Sequence, residues 1–403
     1  MSTNATSGST PKREVYLDYA ATTPTDPRVL EAMLPYFDAR FGNASSMYRS
    51  GRRAAHAIAD ARGTVARILG SGPEEILFTG SGTESDNLAI LGTARANRAA
   101  GRHVIVSAIE HKAVLESAKQ LEREGFEVSI APVHANGLVD LNAFEKLLRS
   151  DTVLVSIMYA NNEVGTIEPI AQIAAIIKKY RGQKNFPLLH TDACQAAGLL
   201  PLSVQKLGVD LMTINGSKIY GPKGVGLLYK KKSVLLEPII VGGEQERGLR
   251  AGTESVPLIV GLAEALSLAE AFRDDESARL IELRDYFIAE VRKKIPGASL
   301  NGHERERLPN NAHFSFPHIE GESILLMLDQ VGVEVSTGSA CSARDLKPSY
   351  VLLALGQNAE LAHGSVRFTL GRHTSHTDID YVLSVLPGIV ERLSSVSALT
   401  ATI

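Results

Sequence analysis

Cysteine is scarce in this sequence: its 403 residues contain two, Cys194 and Cys341, far apart along the chain. Two thiols exclude a disulfide framework and a four-thiolate zinc site, and they fit a reducing compartment. Long apolar runs are missing too, so no stretch has the length that a membrane span requires. Neither sign of charge is in excess. The formal net charge is -3 at pH 7, which leaves no surplus of Lys or Arg to neutralise a nucleic-acid backbone or an anionic lipid surface. Repeats and low-complexity tracts are absent. The opening Met1 to Pro11 is rich in Ser, Thr, Asn and Gly, with no apolar core and no arginine, so residues 1–13 read as a disordered tail and not as a targeting segment. With 44% hydrophobic and 22% charged residues, the expectation is a folded cytoplasmic chain long enough for two domains.

What is present is rhythm. Short apolar runs at Ile76–Thr79, Val104–Ser107, Val128–Ala131, Val153–Met158, Leu188–Thr191, Leu211–Ile214 and Val225–Tyr229 alternate with helical patterns. That alternation predicts an α/β fold with a mostly parallel seven-stranded sheet. Before it, Ala54, Ala57, Ile58, Ala61, Val65, Ile68 and Leu69 recur at helical spacing up to Gly70. After Gly252 the pattern predicts two long helices, Val256–Phe272 and Ala278–Lys294, the second closed by Pro296 and Gly297. A domain boundary near residue 270 is expected there. Beyond it lies a smaller α+β unit, with strands at His313–Phe316 and Val366–Leu370 and helices at Glu322–Val331 and Asp378–Leu393.

Four segments carry residue types suited to chemistry. Phe78 to Asn87 sets small residues, Gly80 to Thr83, between a strand and a helix, where free N–H groups and the helix dipole attract an anion such as phosphate; read alone, it is equally an ordinary capped loop. It matches neither the Walker A nor the dinucleotide-binding glycine pattern. His190 to Gln195 follows an apolar strand, placing Asp192 at a strand's carboxyl end, where ligands of open α/β sheets gather and a cationic partner is wanted; capping of the next helix is the competing reading. Asn215 to Gly224 brings Lys218 back over the same edge through glycine-rich turns. A loop lysine in isolation is more often a solvated charge. Gly338 to Ala343 holds Cys341 among small residues near Arg344 and Lys347, a setting for an accessible thiolate. Cys194, flanked by apolar residues, reads as buried and inert.

Together these segments resemble, in order and spacing, the NifS/IscS-type cysteine desulfurases. The resemblance runs from Tyr16-Leu17-Asp18-Tyr19-Ala20-Ala21-Thr22-Thr23-Pro24 to the last helix. Its most specific stretches are Thr83-Glu84-Ser85-Asp86-Asn87, Glu110-His111-Lys112-Ala113-Val114, Asn161-Asn162-Glu163-Val164-Gly165, Lys218 to Gly224, Gln245 to Gly248, Arg250 to Thr253, and Gly338 to Cys341. The resemblance implies a fold-type I pyridoxal 5'-phosphate enzyme, a homodimer, and conversion of L-cysteine to L-alanine. A large cofactor-binding domain would span 25–270, and a small domain carrying the thiol loop would comprise 14–24 and 271–403. Lys218 is then the Schiff-base lysine and base, Cys341 the persulfide carrier, and His111 the residue stacked on the ring that assists proton transfer. Asp192 holds the ring nitrogen and Gln195 the phenolic oxygen. Gly82 and Thr83 bind the phosphate, with Thr253 from the other subunit. Asn215 and Ser217 stand at two further phosphate-binding positions, where the loss of the family's imidazole implies weaker cofactor retention or compensation elsewhere. Arg367 grips the substrate carboxylate, and Asn162 lies in the same pocket, where it contacts both cofactor and substrate.

The same resemblance implies delivery of sulfur to an acceptor protein, either an iron–sulfur scaffold or a transfer-RNA thiolation enzyme, without direct nucleic-acid or membrane binding. No intrinsic metal is implied, although Cys341 could transiently ligate a cluster on a scaffold. Asn215 and Ser217 stand where the family has a Ser or Thr and a His, and Ala44 and Tyr48 where it has Pro and His. A selenocysteine lyase, another class-V enzyme, or a degenerate binding subunit are the alternatives; persulfide formation separates a desulfurase from an aminotransferase or hydrolase of the same fold, while the same pocket could accept the selenium analogue.

Overall fold

The computed structural model describes residues 13–338 and 348–400. Its strands are β1 (Val15–Tyr16), β2 (Ile76–Thr79), β3 (His103–Ser107), β4 (Glu127–Ala131), β5 (Thr152–Ser156), β6 (Leu188–Asp192), β7 (Leu211–Asn215), β8 (Gly226–Lys230), β9 (Ser299–Leu300), β10 (Asn311–Ser315), β11 (Val333–Glu334) and β12 (Ser365–Thr369). Strands β2 to β8 form a seven-stranded sheet in the order β2-β8-β7-β6-β5-β3-β4. Each coincides with one of the seven apolar runs. Only β8 runs antiparallel to its neighbours, β2 and β7.

Both faces of the sheet's inner strands are covered, which is why apolar residues there face both sides rather than alternating with polar ones, whereas edge strand β4 is partly exposed. Val104 and Val106 face one buried cluster while Ile105 between them faces the other. Leu211 and Met212 divide the same way, as do Leu228 and Leu227. The helix Arg49–Leu69 lays its alanine and isoleucine stripe on the first of these clusters and ends at Gly70, whose φ of 71° is the left-handed conformation of a helix stop.

A second core surrounds the three-stranded sheet β12-β10-β9. Phe287 meets Phe368 at 5.0 Å and Phe314 at 6.2 Å, both edge to face, with Val15 and Leu17 packed in the same cluster. The N-terminal strand thus joins this body, pairing parallel with β11.

The two helices expected after Gly252 are one. Val256–Lys294 is a continuous 39-residue helix, about 58 Å long. No Gly or Pro interrupts residues 273–278, and pairs one turn apart, Arg273 with Glu270 and Arg279 with Glu276, run through the join. Ile259, Leu262 and Leu266 pack in the large-sheet core, and Leu280, Phe287 and Val291 in the smaller one. The expected boundary near residue 270 falls inside this helix. No helix among the described residues is long and apolar enough to cross a membrane.

Candidate active site

The carboxyl ends of β2, β3, β5, β6 and β7 point toward one edge of the sheet, and the segments leaving them supply most of a cavity of about 220 Å³. Gly82, Thr83, His111, Asn162, Asp192, Gln195, Asn215 and Lys218 line it, and Arg367 of β12 closes it from the smaller body. Of the other residues picked out from sequence, Ser217 and Thr253 are not in the lining. Ser217 accepts hydrogen bonds at its backbone carbonyl from Thr23, and Thr253 is exposed. Cys341 lies outside the described residues.

Lys218 ends a tight turn after β7 that sequence and packing both enforce. A side chain at Gly216 or Gly221 would collide with backbone, 2.6 Å from Pro222 O or 2.8 Å from Gly216 O. Tyr220 adopts a φ of 61°, a conformation that costs a non-glycine residue on the order of 1–2 kcal/mol. Its N–H donates to Thr23 Oγ1 at 2.8 Å and its carbonyl accepts from Asp26 N at 2.9 Å, bonds that offset this. The Lys218 ammonium donates to Ala21 O.

At one end of the cavity two carboxyls repel each other. Asp192 ends β6 with Oδ1 accepting from Cys194 N at 2.8 Å. Burial, and next the charge of Asp192, push Asp86 well above the usual carboxylate range, so Asp86 is the member held neutral. His190 beside them is buried and pushed down to about 4 by loss of solvent. Cys194 is buried, its thiol pushed well up by desolvation and then by Asp192, yet it forms part of the cavity wall.

The side wall carries His111, N-cap of the helix Lys112–Arg123, whose Nδ1 accepts from Ala113 N at 3.1 Å. That bond assigns the ring proton of the neutral tautomer to Nε2. Glu110 before it is buried, receives Ser107 Oγ at 2.6 Å and Met158 N at 2.7 Å on Oε1, and is pushed up to about 8 by desolvation.

At the far end Arg367, 2% exposed, donates from Nη2 to Asp18 Oδ1 at 2.7 Å and from Nη1 to Asn162 O at 2.8 Å. The Asn161–Gly165 loop is held by Asn161 Oδ1, which accepts from Glu163 N and Val164 N, both at 2.9 Å. Glu163 Oε2 accepts from Ser349 Oγ at 2.5 Å.

Arg367 Nε, Asn162 Oδ1, Asn215 Oδ1 and Asp86 Oδ1 are buried polar atoms without a hydrogen-bond partner among the described residues. A Cβ on Gly82 would stand 2.9 Å from Cys194 Sγ and 3.2 Å from Asn215 Nδ2. Native proteins rarely leave so many buried groups unsatisfied in one place without a ligand. An acid, a guanidinium and a lysine on the walls of one cavity fit pyridoxal 5'-phosphate together with an amino acid.

A family model for aminotransferase class-V matches residues 15–382. The chain belongs to that family, on its cysteine desulfurase branch. It is 52% identical over 386 residues to cysteine desulfurase IscS of Dictyoglomus turgidum (strain DSM 6724 / Z-1310), covering 96% of this chain and 97% of the relative. It is 48% identical to cysteine desulfurase IscS 1 of Archaeoglobus fulgidus, covering 95% and 99%. Among solved structures, a NifS-like protein superposes with a TM-score of 0.88 at 38% identity, covering 94% of this chain and 100% of that one. SspA in complex with cysteine gives 0.78 at 35%, covering 90% and 100%. The class-V chain therefore has the fold-type I architecture of pyridoxal-phosphate enzymes.

Asp18, Asp86, Glu110 and Glu163 had no role assigned from sequence, although all four stand inside the stretches that carried the resemblance. A carboxylate inside a motif looks the same whether it is solvated or buried, so only tertiary contact marks them: burial for Asp86, Glu110 and Glu163, and the ion pair with Arg367 for Asp18.

Proposed function

We propose that the chain converts L-cysteine to L-alanine with pyridoxal 5'-phosphate as cofactor, keeping the sulfur as a persulfide on Cys341 for transfer to an acceptor protein. The observation that carries this reading is the convergence of Lys218, His111, Asp192, Gln195 and Arg367, from separate segments, on one cavity. The role of Cys341 rests on its motif and on the cysteine desulfurase relatives.

When bound, the cofactor supplies a protonated ring that withdraws electrons from the substrate Cα. Asp192 would hold the ring nitrogen, Gln195 the phenolic oxygen, and Gly82, Thr83 and Asn215 the phosphate. Lys218 anchors the cofactor, then takes the Cα proton, and His111 transfers a proton at Nε2. Arg367 and Asn162 hold the carboxylate. The Cys341 thiolate attacks the substrate sulfur: a sulfur–sulfur bond forms, the Cβ–sulfur bond breaks, and its electron pair goes to carbon, which is protonated. Cysteine plus enzyme thiol become alanine plus enzyme persulfide, with no outside oxidant.

Thr253 would reach the phosphate of a second copy. Its exposure, together with exposed Phe41 (69%), Met47 (88%) and Val241 (81%), suits a homodimer. The acceptor is an iron–sulfur scaffold or a transfer-RNA thiolation enzyme, and the setting cytoplasmic. We take residues 25–270 as the cofactor domain and 14–24 with 271–403 as the domain bringing Arg367 and the thiol segment.

The test is to incubate the holoenzyme with L-cysteine and assay alanine and protein-bound persulfide together. Cys341→Ser is expected to form no persulfide, and Lys218→Ala to lose roughly 10²–10⁴-fold in alanine formation. Equal persulfide on the Cys341 variant overturns the sulfur path, and a Lys218 variant within tenfold of the parent overturns its role.

A further inference from the structure

The segment Leu17–Thr23 touches both halves of the site. Its backbone lies beside β12, with Thr369 N donating to Leu17 O at 2.7 Å and Ala20 N to Thr369 Oγ1 at 3.0 Å. Ala20 O accepts from Gln195 Nε2 at 3.0 Å, and Ala21 O from Lys218. Between these contacts Asp18 presents its carboxylate to Arg367 Nη2. The guanidinium is thus fixed on two edges, by Asp18 and by the Asn162 carbonyl. Nε is left buried without a partner among the described residues.

We propose that Asp18 is a positioning residue that sets how tightly Arg367 holds the substrate carboxylate. Its oxygen orients the guanidinium so that the remaining N–H groups meet the incoming carboxylate. Its charge offsets that of Arg367 in advance and opposes a second anion. The two effects have opposite signs, so they can be separated. This rests on the reading that Arg367 binds the substrate carboxylate. A guanidinium oriented by an oxygen gains a pre-formed fork, whereas a like charge a few ångströms from the bound carboxylate lowers its affinity.

The experiment measures binding of L-alanine to the holoenzyme by calorimetry, with cysteamine, which lacks the carboxylate, as the control ligand. Asp18→Asn keeps an oxygen for Nη2 and removes the charge, so alanine is expected to bind ~3-fold or more tighter. Asp18→Ala removes both, and the lost charge-assisted hydrogen bond is expected to weaken alanine about 10-fold or more. Cysteamine binding stays within twofold in both, and the KM for cysteine moves more than kcat. A purely structural role would shift both variants in one direction and move cysteamine with them, and that result overturns the proposal. So do two variants that both bind alanine as the parent does. An Arg367→Lys arm separates the two levels. If it binds alanine with parental affinity, the carboxylate reading of Arg367 fails and the proposal with it. If it weakens alanine while the Asp18 variants do not diverge, the reading of Arg367 stands and the role of Asp18 falls.

Discussion

The two ends of the cavity handle buried charge in opposite ways. At the Asp192 end, two carboxyls share a desolvated site and one, Asp86, is forced to the neutral acid. At the Arg367 end, a guanidinium is matched by an ionic partner, Asp18, and by a backbone carbonyl. The first arrangement calls for a cation from outside; the second is compensated already and has N–H donors to spare, Nε among them. On the proposed reading, holding a cationic ring nitrogen and releasing a carboxylate product would draw on this asymmetry, because an unpaired buried charge costs several kcal/mol while a paired one can be exchanged.

The largest effect should follow from breaking the acidic end. Asp192→Asn removes the fixed negative charge, and pyridoxal-phosphate affinity is expected to fall roughly 10²-fold, from the about 3 kcal/mol lost when a buried ion pair is broken. Absorbance titration of the apoprotein measures this, and an unchanged affinity would mean that the ring nitrogen lies elsewhere.

A smaller effect tests the close approach beside that end. Gly82→Ala puts a methyl group 2.9 Å from Cys194 Sγ, and overpacking should cost about 1–3 kcal/mol in chemical denaturation. Gly63→Ala, whose Cβ meets nothing within 4 Å, is the control and should not destabilise.

The smallest effect concerns pH. Desolvation raises Glu110, and likewise Glu168, to about 8 in the folded state, so the native protein keeps protons that the unfolded chain has released above about pH 4.5. The native state binds more protons than the unfolded one, and stability from these groups falls as pH rises toward 8. Buried His190 and His313, lowered to about 4 and about 3, act in the opposite sense, but only below the ordinary histidine range near 6.5. Between pH 6.5 and 8 the glutamates therefore dominate. Glu110→Gln preserves an oxygen for Ser107 and Met158, and it should flatten the loss by roughly tenfold in the folding equilibrium per pH unit. Parallel slopes for parent and variant would show that Glu110 titrates normally.

The strands of the large sheet were legible as short apolar runs because inner strands bury side chains on both faces, as Val104, Ile105 and Val106 illustrate, and the partly exposed edge strand β4 still keeps Val128, Ile130 and Ala131. Lys218 and Asp192 could be picked out locally because glycine turns and strand ends leave marks in the sequence, whereas His111 came only from the family resemblance. The helix Val256–Lys294 was misread as two because its middle, Arg273 to Ser277, faces no single core and loses the apolar period there. Asp86, Glu110 and Glu163 stood in plain sight within motifs, but their burial is not written locally.

By itself, then, the sequence determined the sheet, the turn that returns Lys218 to its edge, and the family chemistry that goes with them, since each depends on residues adjacent in the chain. Tertiary structure alone decided that Asp18 would meet Arg367 across 349 positions, and that Asp86 would lie beside Asp192 and give up its charge. Ion pairing and desolvation depend on distance and on excluded water. Neither quantity exists until the chain has folded.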